Sequence, residues 1–207
     1  MSNHKVFVVA LPGSGKTTVL KKLAEIMPEA KIVNFGDLMF LEASRIFGVK
    51  HRDEMRHVLG LEEYRRLQVE AAKRIAEMDG LVIVDTHAVV KTGLGLYPGL
   101  PSEVVRLVRP SIIFLIESRP EDVLERRMKD VGPSSGRVRE IGTIEEVIRD
   151  QELSRDYAIS SANEAMCYLK IIRQNYLQER PYQHAEDAAR EMVEAIKALV
   201  QTGSRRA

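Results

Sequence analysis

The sequence predicts an α/β domain of three layers, with a five-stranded parallel sheet between helices. Five short apolar runs carry that prediction, at residues 6–10, 31–35, 81–85, 112–117 and 168–172. They lack the polar alternation of a half-solvated strand and so read as strands buried on both faces. Helical periodicities fill the intervals, and a strand–helix alternation builds parallel sheets because each return of the chain needs a crossover.

The elements follow in order. The first strand runs into a glycine-rich turn and a helical run at residues 18–27. In the segment 61–78, Leu61, Tyr64, Leu67, Ala71, Ile75 and Met78 recur at three or four residues, the stripe of a helix packed on a sheet. Its other face sets Glu62 four before Arg66 and Glu70 four before Arg74, which suits solvated helical ion pairs. Ser118-Arg119-Pro120-Glu121 and Thr143-Ile144-Glu145-Glu146 read as capping boxes. Two stretches, 92–101 and 131–142, are rich in Gly and Pro and read as functional loops or lids, and the tail 201–207 reads as frayed.

Bulk properties narrow the function classes. A chain of 207 residues fits one domain, 1–207. The formal charge of +1 argues against a nucleic-acid-coating protein. The single cysteine, Cys167, excludes an intramolecular disulfide and suits a reducing cytoplasm. The opening MSNHKVFVVA holds too short an apolar stretch for a signal peptide, and the sequence has no run of membrane-spanning length. A soluble cytoplasmic protein with neither nucleic-acid nor membrane partners is expected.

Chemistry enters after the first strand. Ala10-Leu11-Pro12-Gly13-Ser14-Gly15-Lys16-Thr17, followed by Thr18, is a P-loop with Ala10 at the strict pattern's first glycine. Glycines there let backbone N–H groups turn toward phosphate oxygens, and the following helix aims its positive end at them. Lys16 would neutralise the β and γ phosphates of a nucleoside triphosphate, and Thr17 would ligate Mg²⁺. Asp85, the carboxylate ending an apolar strand, is the expected second metal residue; a plain turn-capping Asp is the competing reading.

Arginines point to phosphoryl transfer, because guanidinium groups neutralise the oxygens that two phosphorylated substrates bring together. Arg126 and Arg127 precede the second irregular loop, Arg137 and Arg139 follow its glycines, and Arg155 comes later. A surface pair with Asp122 would equally account for Arg126.

The segments Asn34-Phe35-Gly36-Asp37-Leu38-Met39-Phe40, His51-Arg52-Asp53-Glu54-Met55-Arg56 and Val84-Asp85-Thr86-His87-Ala88-Val89-Val90-Lys91-Thr92 together resemble the archaeal-type adenylate kinases. Gly99-Leu100-Pro101 and Lys170-Ile171-Ile172 continue the resemblance, which covers most of the chain. It implies a three-layer P-loop NTPase fold with a helical AMP-binding segment at 34–59 and a short lid at 126–142. The implied reaction is ATP plus AMP giving two ADP, with Mg²⁺. Asn34, Gly36, Met39, Arg56, Thr86, His87 and Lys91 would contact substrate, with Arg56 on the AMP phosphate. Lys16, Arg127, Arg137, Arg139 and Arg155 would carry catalysis. The family is typically trimeric, so a homotrimer is implied. The lid departs from its pattern by extra residues, 132–136, and by Glu140 in place of Asp. His87 is not expected to act as a base, because an acceptor phosphate is already an anion. The rivals are a kinase acting on CMP, UMP or a small metabolite, and a nucleotide-switched ATP-binding module.

Overall fold

The computed structural model describes residues 3–130 and 142–204; the side chains of Asp53, Arg56, His57, Asp130 and residues 202–204 lie outside that description. The chain runs β1 (His4–Ala10), α1 (Lys16–Ile26), β2 (Lys31–Asn34), α2 (Phe35–Phe47), a 3-10 turn (Arg52–Glu54), α3 (Met55–Val58), α4 (Leu61–Glu77) and β3 (Leu81–Thr86). There follow β4 (Val89–Thr92), β5 (Gly95–Pro98), α5 (Ser102–Val108), β6 (Ile112–Ser118), α6 (Pro120–Asp130), α7 (Ile144–Ala165), β7 (Tyr168–Gln174) and α8 (Gln183–Ser204).

The five long-range strands form one sheet in the order β2-β3-β1-β6-β7, every pair parallel. Phe7 and Val9 of β1 enter a core with α2, α4, α5 and α7, whereas Val6, Val8 and Ala10 enter one with α1 and α8. A strand buried on both faces has no polar side, and this accounts for the unbroken apolar runs. From β1 the chain crosses to β2 on one side, and from β3 it crosses to β6 on the other. The carboxyl ends of β1 and β3 therefore flank a topological switch point, the crevice where sheets of this kind bind ligands.

Local chemistry sets the element ends. Thr143 accepts from the Glu146 amide (3.3 Å) while the Glu146 carboxylate accepts from the Thr143 amide (2.8 Å), as the sequence predicted for α7. The Asn34 side chain caps α2 by accepting from the Asp37 amide at 3.1 Å. That cap ends β2 at Asn34, one residue before the expected limit.

Several expectations are corrected. The segment 92–101 is not a loop: β4 and β5 form an antiparallel hairpin with Gly95 at φ 118. Gln68 of α4 holds it, donating to the Pro98 carbonyl (3.1 Å) and accepting from the Tyr97 hydroxyl (3.0 Å). Arg74 pairs with buried Glu42 of α2, not with Glu70, and Glu62 pairs with Arg65. The α4 stripe is buried at Leu67, Ala71 and Ile75, but Leu61, in the first turn, is exposed. Helix α8 continues to Ser204, into the tail 201–207 read as frayed, of which residues 205–207 lie outside the described residues.

Candidate active site

The loop between β1 and α1 takes a shape that favours glycine. Gly13 and Gly15 have φ of 94° and 78°, in the left-handed region. A Cβ on Gly13 would also crowd α6, at 3.1 Å from both Arg127 Cγ and the Val123 carbonyl oxygen. Helix α1 starts at Lys16 with no side-chain cap and no acid in its first turn. Its amide donors and dipole are thus not neutralised locally. The Ser14 hydroxyl is buried in the same loop without a partner among the described residues.

The crevice is wired by a run of side chains. Lys16 Nζ lies 2.6 Å from Asp85 Oδ1 and also donates to the Thr86 carbonyl. Asp85 Oδ2 accepts from Asn34 Nδ2 at 2.8 Å, because the parallel register sets Asn34 of β2 opposite Asp85 of β3. Asn34 Oδ1 in turn accepts from Arg52 Nη2 at 3.1 Å, and Arg52 Nη1 lies 2.5 Å from Asp37 Oδ1. Burial pushes the Lys16 ammonium below the usual lysine range; Asp85 opposes that shift and the nearby Arg52 charge adds to it. A phosphate arriving at Lys16 therefore meets a desolvated cation whose present anion is a single carboxylate.

Around this network the expected residues divide. Arg126 Nη1 donates to the Gly13 carbonyl (3.3 Å) and Arg127 Nε to the Pro12 carbonyl (3.1 Å), so α6 lies directly over the loop. Asp122 interacts with Arg119 and His184 instead of Arg126. Arg155 Nε donates to Glu117 Oε1 at 2.8 Å, at the carboxyl end of β6. Lys91 is paired with Asp150 of α7 at 2.5 Å, and His87 Nδ1 is 2.9 Å from the Ala10 carbonyl, a contact that ties β3 to the loop. Met39, expected to touch substrate, is 3% exposed and packs in the core. Thr17 is exposed and Thr18 half-buried. Arg56 sits on α3 with its side chain outside the described residues, as do Arg137 and Arg139 entirely.

One feature escaped the sequence reading: a pocket beside the loop, lined by Ser14, Thr18, Arg126, Gln174, Gln178 and His184 among others. Its signal was available, since Gln174 closes β7 at the sheet's carboxyl edge, where ligands bind. The segment after β7 carries no phosphate motif that would mark a ligand site in the sequence.

A family model described as an AAA domain matches residues 9–149. An adenylate kinase of Pyrobaculum aerophilum is 43% identical over 193 residues, covering 93% of this chain and 96% of the relative. An adenylate kinase of Pyrococcus horikoshii is 40% identical over 198 residues, covering 94% and 96%. Among solved structures, a shikimate kinase from Bacteroides thetaiotaomicron superposes with a TM-score of 0.60 at 15% identity, covering 95% of this chain and 99% of that one. A shikimate kinase from Acinetobacter baumannii in complex with shikimate gives 0.56 at 16%, covering 95% and 94%. At that identity the likeness speaks for the fold alone.

Proposed function

The chain belongs to the archaeal-type adenylate kinases, and from that membership we propose how its residues divide the transfer of a phosphoryl group from ATP to AMP. The observation that carries the reading is the continuous network Lys16–Asp85–Asn34–Arg52, which joins the phosphate loop to the head of α2. Donor-side and acceptor-side elements thus meet in one crevice, as direct transfer between two nucleotides requires.

ATP places its phosphates against the loop 10–18, on backbone N–H groups of its residues other than Pro12, and Lys16 exchanges Asp85 and the Thr86 carbonyl for phosphate oxygens. Arg126 and Arg127 already stand over the loop and turn from the Gly13 and Pro12 carbonyls toward the transferring group. Arg155 joins them by leaving Glu117. The AMP phosphate oxygen forms the new bond to the γ phosphorus as the bond to the β–γ bridging oxygen breaks, and ADP leaves with that electron pair. No protein base is needed, because the attacking oxygen is anionic. Asp85 and Thr17 fit a Mg²⁺ ion: a carboxylate at the end of β3 and an exposed hydroxyl flank the loop. When bound, Mg²⁺ would neutralise charge on the bridging phosphates.

Acceptor contacts fall to Asn34, Gly36 and Arg56, and the 34–59 segment is the acceptor-binding part. The lid reading of 126–142 rests on Arg126 and Arg127, because residues 131–141, with Arg137 and Arg139, lie outside the described residues. The resemblance also supports a homotrimer in the cytoplasm, which light scattering and fractionation test; no described helix is long and apolar enough to cross a membrane. A coupled assay of ADP formed from ATP with AMP, CMP or UMP tests the reaction. ADP production that is highest with AMP is expected, and equal rates with all three would refute AMP as the preferred acceptor.

A further inference from the structure

Glu117 is a carboxylate that the fold buries and sets between two cations. Its side chain is 8% exposed at the carboxyl end of β6, where Arg155 Nε of α7 donates to Oε1 at 2.8 Å. Arg173 Nε of β7 stands 3.6 Å from the other oxygen, Oε2, near enough to attract but too far for a hydrogen bond. The parallel register sets Arg173 beside Glu117 and Ile116 opposite Ala10, so the carboxylate sits level with the start of the phosphate loop. Its backbone is held there. Ser118 Oγ lies 3.1 Å from the Ser14 carbonyl oxygen, and Gln151 of α7 donates to the Ser118 carbonyl at 2.7 Å. The Glu117 hydrogen bond, against a burial cost and with help from Glu152 and Asp156, holds Arg155 above the usual arginine range.

These contacts set a condition on catalysis by Arg155. When its guanidinium moves to the transferring phosphoryl group it leaves a buried carboxylate behind, and an unpaired buried charge is costly. That cost would add to the barrier in every turnover. Arg173 removes it. The side chain is 60% exposed on a flexible stem, and a small shift brings it into hydrogen-bonding distance of Oε2. We propose that Glu117 is a positioning residue, which holds Arg155 beside the loop between turnovers, and that Arg173 takes over its charge when Arg155 moves to the phosphates. The inference rests on Arg155 acting in the transfer. It adds a counter-ion exchange, in which one buried anion is paired in both states by different cations.

The test is the single-turnover rate of ADP formation by rapid quench, with ATP and AMP saturating, beside steady-state KM values and melting of each full-length variant. Arg173→Ala lowers that rate about fivefold or more, because Arg155 is then held on Glu117, while KM for ATP and for AMP moves less than about twofold. Arg173→Lys restores most of the rate, since the exchange needs a charge and not a fork. Glu117→Gln lowers the rate about threefold or more, as Arg155 turns to Glu152 and Asp156. In the Glu117→Gln background, Arg173→Ala changes the rate less than about twofold, because no buried charge is left to cover. Equal losses from Arg173→Ala in both backgrounds would mean a packing role and overturn the proposal. So would no loss in either, or a raised KM for ATP, which would put Arg173 on the nucleotide. Arg173→Gln keeps the stem without the charge and reads the same loss should Arg173→Ala fail to fold. Arg155→Ala tests the premise separately. A rate near wild type would remove Arg155 from the transfer and the exchange with it, whereas a loss of about 10² or more beside an unimpaired Arg173→Ala enzyme would overturn the exchange alone.

Discussion

Two glycines meet similar obstacles for different reasons, and replacing each by alanine separates fold from acceptor binding. At Gly99 a Cβ would collide with the His87 carbonyl oxygen and sit 2.8 Å from its carbon, both backbone atoms. That backbone cannot turn aside: Gly99 donates to the Ala88 carbonyl at 2.9 Å, and His87 is tied to Ala10 at 2.9 Å. Gly99→Ala therefore costs about 3 kcal/mol, the upper end of overpacking penalties. At about 2–4 °C per kcal/mol for a chain of this size, Tm falls roughly 6–12 °C. At Gly36 the obstacle is the tip of Arg52, which rotates away. The loss of one exposed ion pair, about 0.2–1 kcal/mol, is offset by the better helix propensity of alanine, up to about 1 kcal/mol. Gly36→Ala is expected to melt close to wild type yet show KM for AMP raised roughly threefold to tenfold, because the added methyl, and Arg52 pushed off Asn34, disturb the acceptor contacts at Asn34 and Gly36. Calorimetric melting and two-substrate kinetics read both quantities. A Gly99→Ala protein melting within about 2 °C of wild type, or a Gly36→Ala protein as unstable as Gly99→Ala, would refute the reasoning.

Lys16→Ala is expected to lower ADP formation by about 10² or more with an unchanged far-UV spectrum, since Asp85 keeps Asn34 and partial access to water. Near-normal turnover by that folded variant would remove Lys16 from the transition state. Arg56→Ala should raise the AMP requirement about tenfold or more while leaving that for ATP nearly constant; equal shifts would place Arg56 elsewhere. Burial pushes the Cys167 thiol up to about 11. About one molecule in a thousand is then thiolate at pH 8, and iodoacetamide labelling of the native protein should rise toward a midpoint near pH 11. Rapid labelling at pH 7 would contradict that.

How far the sequence reads depends on the range of the forces involved. The P-loop is legible because its chemistry is local: glycines at φ 94° and 78° and a helix start belong to a few consecutive residues. The parallel strands are legible because burial on both faces leaves a continuous apolar run, as in β6, where every residue is buried. The β4–β5 hairpin was hidden because its glycines and proline resemble a loop, and the contacts that hold it come from Gln68 on another element. Helical spacing likewise suggested Glu70 for Arg74, but tertiary packing brought Arg74 to the buried carboxylate of Glu42, a charge that is costly to leave unpaired.

By itself, then, the sequence determined the layered parallel fold, the phosphate loop with Lys16, and the acid at Asp85, each set by propensity and burial over a few residues. Only the tertiary structure decided which charges meet. Arg52 faces Asp37 and Asn34, Arg155 faces Glu117, and Lys91 faces Asp150, at separations along the chain that carry no periodic signal. The physical reason is that an ion pair needs two side chains within a few ångströms, and for residues far apart in sequence only the crossing of helices over the sheet sets that distance.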